Sequence, residues 1–121
     1  MTEDYVSFET AKMLKEKGFP LPSTNFEDWV FCMYDENGDI QWGCYHPDYY
    51  CRVTLQMAMK WLLKKHNIFI CILFMEDLNR FGYTIEDIVK KKIIGSSGDS
   101  SYKEPEESDD AAIKYCLENL I

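Results

Sequence analysis

Histidine is nearly absent from this chain: His46 and His66 are the only two in 121 residues. Imidazole is the commonest general base, so this scarcity narrows the enzyme mechanisms open to the protein. No Gly-rich phosphate loop, nucleophile elbow or helical metal-binding motif occurs either. Positive charge is also short. Thirteen Lys and Arg face 21 Asp and Glu, a net charge of −8, which opposes the phosphate neutralisation behind nucleic-acid affinity. Nucleic acid is therefore not an expected partner. The longest apolar run, Ile68 to Met75, falls well short of the roughly 20 residues that cross a bilayer, so no membrane span is expected. The start of the chain, Met1-Thr2-Glu3-Asp4-Tyr5, lacks the basic and apolar regions of a secretory signal. A cytoplasmic protein is the expectation. The five cysteines (Cys32, Cys44, Cys51, Cys71 and Cys116) are odd in number and follow no framework spacing, so buried thiols are expected and disulfides are not.

What is present is a foldable chain. Hydrophobic residues make up 46% and aromatic residues 15%, too apolar for intrinsic disorder, and the length suits one domain over residues 1–121. Ser7 is placed to cap a helix from Phe8 to Lys17 whose Phe8, Ala11 and Leu14 share a face. Gly18 closes it, with Phe19 positioned to touch Leu14 in a Schellman stop. Phe26 to Tyr34 and Ile40 to Tyr45 form a hairpin candidate joined through Asp35 to Asp39. A type I turn with Gly38 as a left-handed bulge sets Cys32 opposite Trp42 and Tyr34 opposite Ile40. In that register Val30, Cys32, Tyr34, Ile40, Trp42 and Cys44 form one apolar face, taken as core.

Thr54 caps a second, central helix over about Leu55 to Lys65, ended by Asn67 in the left-handed region. The apolar run Ile68 to Met75 reads as a strand covered on both faces and central in its sheet. For Tyr83 to Ile94 the pattern alone leans slightly to helix, with two strands turning near Lys90-Lys91 as the alternative. A last helix starts near Pro105, its early acids matched to the helix dipole, and buries Ala112, Ile113, Cys116, Leu117, Leu120 and Ile121.

Two constellations suggest chemistry. Cys32, Cys44, His46 and Cys51 are near enough in sequence for a Cys₃His zinc site, but no C-x₂-C knuckle occurs and both hairpin cysteines fall on the core face, so no metal and no cofactor is expected. Cys44 or Cys51 with His46 is the enzyme or redox alternative, for which a thiolate beside a base is required. The stronger feature is aromatic. Trp29, Phe31 and Met33 on the second hairpin face, with the loop tyrosines Tyr45, Tyr49 and Tyr50, have the composition of an interface core. They are the candidate interaction surface.

Three segments, Tyr5 to Lys12, Thr54 to Leu62 and Ala111 to Ile121, resemble a family of short uncharacterised proteins of gut bacteria and their phages and mobile elements. The resemblance covers the helices and implies a fold and a genetic setting; it carries no catalytic residue. In similar proteins the stretch after Glu76 reads as strands, which turns Tyr83 to Ile94 from helix to strands. The resulting expectation is an α+β fold: one antiparallel sheet of four to five strands, covered mainly on one face by three helices, in the order α-β-β-α-β-β-α with room for a short fifth strand. The function expected is that of a small acidic, non-enzymatic interaction or regulatory module, binding a protein partner or a second copy through the aromatic hairpin face.

Overall fold

Local chain chemistry places the helices where the sequence puts them. The computed structural model describes residues 4–20, 31–43, 46–98 and 100–121. Helix α1 spans Phe8–Glu16, and the Ser7 hydroxyl accepts from Thr10 N–H. It ends in a Schellman motif: Phe19 N–H donates to Leu14 C=O at 3.0 Å and Gly18 N–H to Lys15 C=O at 3.2 Å, with Gly18 at φ +83°. Helix α2 spans Leu55–His66, capped by Thr54, and Asn67 stops it at φ 58°. Helix α3 spans Pro105–Asn119 with Pro105 in its first turn.

The first hairpin has the expected register. Strands β1 (Phe31–Tyr34) and β2 (Ile40–Gly43) pair with Cys32 opposite Trp42 and Tyr34 opposite Ile40, and Gly38 takes the left-handed turn position at φ +87°. A two-residue strand, β3 (Tyr50–Cys51), joins the other side of β1, giving the order β2-β1-β3. The second sheet is a meander of β4 (Ile68–Met75), β5 (Arg80–Asp87) and β6 (Lys92–Ser96), with β5 in the middle. Tyr83 to Ile94 is therefore strand and turn, reversing through Ile88 to Lys91, where the Asp87 carboxylate accepts from Val89 and Lys90 N–H at 3.0 Å each.

Two expectations are corrected here. Among the described residues there are two three-stranded antiparallel sheets, not one of four or five strands. The backbone after β3 is engaged by the N-terminal arm, Val6 N–H donating to Val53 C=O and Leu55 N–H to Asp4 C=O, both at 2.9 Å, so that segment does not offer an edge for β4 to extend. And β4 is neither central nor covered twice. Among the described residues it is an edge strand in its sheet, with Ile68 and Ile70 buried and Phe69, Cys71 and Leu73 exposed.

The helices share one side of this second sheet. Helix α3 packs on β4 and β5, and α2 packs on β4. Leu62 of α2, Ile113 and Leu117 of α3 and Ile85 of β5 lie in the same buried cluster as Val6, Leu14 of α1 and Tyr34 of β1. Helix α3 is latched to α1 by Lys114 on Glu9 at 2.6 Å and by the Asp110 carboxylate accepting from Ser7 N–H at 2.8 Å.

Candidate functional site

The aromatic surface nominated from sequence does not assemble as expected. Trp29 and Tyr45 lie outside the described residues, as does the side chain of Phe31. Met33 is only 2% exposed and is unavailable to a partner. The cause is its strand: β1 is the middle of its sheet, Met33 sits between Gln41 and Cys51, and the neighbouring Tyr34 is buried too. Alternation separates the two faces of a strand, but both faces of a middle strand can be covered. On the edge strand β2 the reverse holds: Ile40 and Trp42, assigned to the core, are 50% and 67% exposed.

The loop tyrosines are spent on contacts within the chain. Tyr49 stacks on the His46 ring at 4.1 Å. Tyr50 packs against Phe8 at 5.7 Å, with the Lys15 ammonium 5.0 Å from its ring, an attraction of the cation–π kind. The Lys15 ammonium also donates to the carbonyls of Pro47 and Tyr49. Both tyrosines are half-buried, and what they do here is fasten the loop to α1.

The cysteine chemistry fares no better. His46 Nδ1 accepts from Asp48 N–H at 3.1 Å, so that nitrogen is occupied within its own loop. Burial pushes the Cys51 thiol up, away from the thiolate a nucleophile requires, and burial pushes Cys116 up to about 12. Cys44 lies outside the described residues. Cys32 Sγ accepts from Arg52 Nη1 at 3.1 Å, and the guanidinium lies 4.1 Å from the Tyr5 ring and 5.5 Å from the Tyr34 ring. Burial lowers His66, whose ring meets Trp61 edge-on at 4.8 Å. Beside Cys51 lies a cavity of about 30 Å³, lined by Ala11, Leu14, Phe19 and Val53 among others, a space for water and not for a substrate. Among the described residues no group of three His, Cys, Asp or Glu is placed to hold a metal ion, and no helix is long and apolar enough to cross a membrane.

The surface that stands out is the outer face of the second sheet. Strand periodicity and register put Phe69, Cys71, Leu73 and Met75 of β4 on the face turned away from the helices, beside Arg80, Gly82, Thr84 and Glu86 of β5 and Ile93 of β6. Phe69 is 45%, Leu73 42% and Ile93 64% exposed, and Leu78 adds apolar surface at the hairpin end. Sequence reasoning missed this site because an unbroken apolar run reads as a strand covered twice. The available signal was the helix count. Three helices expected mainly on one face of a sheet are too few to bury its other face as well.

No protein-family model matches the sequence, and neither a curated protein nor a solved structure matches it.

Proposed function

We propose that this chain is a small acidic, non-enzymatic protein-interaction module, of the phage or mobile-element type that its helical segments resemble, and that it works through the outer face of β4 to β6. The observation that carries the reading is the apolar row Phe69 and Leu73 with Ile93, exposed on a sheet whose other face is already filled by helices. The β4 part of that row is continuous, with the exposed Cys71 between Phe69 and Leu73, and exposed apolar surface of this kind is typical of contact sites. Aromatic and aliphatic anchors of this sort supply most interface energy.

The experiment is retention on the immobilised chain. Protein partners held by the native chain should be lost by Phe69→Ser/Leu73→Ser, a double substitution at exposed positions that leaves the circular dichroism spectrum unchanged. Equal retention by the native and substituted chains overturns the reading.

A further inference from the structure

The partner that this surface fits is a second copy of the chain. We propose that two molecules pair β4 against β4, antiparallel about a two-fold axis, so that the two outer sheets join into one of six strands. The proposal rests on the interaction-module reading and names its partner.

The free edge of β4 follows from the hydrogen bonds of β5. Phe81 exchanges both backbone bonds with Tyr102 at 2.7 Å, and Tyr83 C=O accepts from Ser97 N–H at 2.9 Å. Those groups point away from β4, so in an antiparallel ladder the residues of β5 that bond β4 are Arg80, Gly82, Thr84 and Glu86. Their partners are Met75, Leu73, Cys71 and Phe69. Asn67 C=O, which accepts from Ile88 N–H at 3.1 Å, has the same phase. What remains are the N–H and C=O groups of Ile68, Ile70, Ile72 and Phe74, directed outward along an edge that no strand joins among the described residues. The usual protections of an edge, namely lysine, proline or a bulge, are missing from Ile68 to Met75.

One register satisfies that edge. A two-fold axis normal to the sheet keeps the two outer faces together, so outward-bonding residues must meet outward-bonding residues. Aligning all four sets Ile68 against Phe74 of the copy and Ile70 against its Ile72, with Cys71 meeting the copy's Cys71 at the axis. Two further features then agree without adjustment. On the exposed face Phe69 falls opposite the copy's Leu73, twice by symmetry, which covers the apolar row found unpartnered. Beyond the strand ends, the exposed Lys64 and Lys65 in the last turn of α2 lie at the end of β4 that this alignment brings near the exposed Glu76 and Asp77 of the copy. Hydrogen bonding, apolar burial and charge each favour the same alignment.

At the axis Cys71 forms a non-hydrogen-bonded pair, where Cα atoms lie about 4.5 Å apart, within the span a disulfide accepts. Cys71 is exposed, so it reports on the register. Sedimentation of the full chain should show a reversible dimer. Brief oxidation with diamide should give a covalent dimer that Cys71→Ser abolishes, while Cys71→Ser alone still dimerises without the bond. Lys65→Glu, at an exposed position, should raise the dissociation constant roughly tenfold by setting like charge near Glu76 and Asp77 of the copy at both ends of the contact, and Lys65→Glu/Asp77→Lys should restore much of it. A native chain that stays monomeric at its solubility limit overturns the proposal, as does a dimer indifferent to Lys65→Glu or a cross-link that survives Cys71→Ser. A monomer that still loses partners on Phe69→Ser/Leu73→Ser separates failure of this inference from failure of the reading beneath it.

Discussion

At the scale of single residues the least comfortable spot is the second turn of α3. Ser108 is fully buried and Asp109 half-buried, and Ser108 Oγ and Asp109 Oδ1 have no hydrogen-bond partner among the described residues. Burial raises the Asp109 carboxyl to about 6, and the nearby carboxylates of Glu106 and Asp4 push the same way. A folded-state value above the unfolded one means that protonation favours folding. The stabilisation is complete below about pH 4 and is lost as pH rises through about 6. Above that, the folded chain carries an ionised, under-solvated acid. Asp109→Asn should therefore stabilise the protein at pH 7 to 8 by about 1 kcal/mol, once the shift is discounted for the solvent that still reaches the group, and should flatten urea stability between pH 4 and 6. Ser108→Ala should add about 1 kcal/mol by removing a buried hydroxyl with no partner. Destabilisation by either substitution would mean that a hydrogen bond is made there. From sequence Asp109 reads as one of the early acids, with Glu106, Glu107 and Asp110, suited to a helix start. The helix start is correct, but burial depends on how α3 lies against α1 and the sheet, which no local pattern encodes.

At the scale of elements, whatever depends on neighbours in the chain was readable. Ser7, Thr54, Gly18 and Asn67 act within one helical turn, and each bounds its helix as expected. The hairpin register was readable for the same reason, because Gly38 fixes the turn and the turn fixes the pairs. A test comes from two glycines with nearly equal backbone angles. A Cβ on Gly18, at φ +83°, would meet nothing within 4 Å, whereas one on Gly38, at φ +87°, would stand 2.6 Å from the Phe8 ring. Gly18→Ala should cost about 1 kcal/mol for the left-handed conformation alone. Gly38→Ala should cost about 2–3 kcal/mol, because the Phe8 ring must also move from its stack on Tyr34. Equal losses in urea unfolding would show that the ring yields freely. What local chemistry does not specify is which strand lies in the middle of a sheet. Alternation puts Met33 on the surface and Trp42 in the core, and their exposures are reversed, because among the described residues β1 has neighbours on both sides and β2 on one.

At the scale of the whole molecule the division into two sheets decides where a free edge is left, and a net charge of −8 decides the conditions under which that edge can be used. Two such molecules with centres about 30 Å apart, the spacing expected from the size of a domain this long, repel by about 9 kcal/mol in unscreened water. At 0.01 M salt the screening length is itself about 30 Å, which leaves roughly a third of that repulsion; at 0.15 M it is about 8 Å and almost none remains. Attraction between Lys64 and Lys65 and the Glu76 and Asp77 of the copy acts in the opposite sense, since salt weakens it. These side chains are exposed, and contacts of this type are worth only about 0.2–1 kcal/mol each, so relief of the overall repulsion wins. Self-association through β4 should accordingly be tighter at 0.15 M than at 0.01 M salt, by about tenfold or more in the dissociation constant measured by sedimentation. Sulfate, which strengthens apolar burial, should tighten it further. A dimer that weakens steadily from the lowest salt upward would place charge pairing, and not the apolar row of Phe69 and Leu73, in control of the contact.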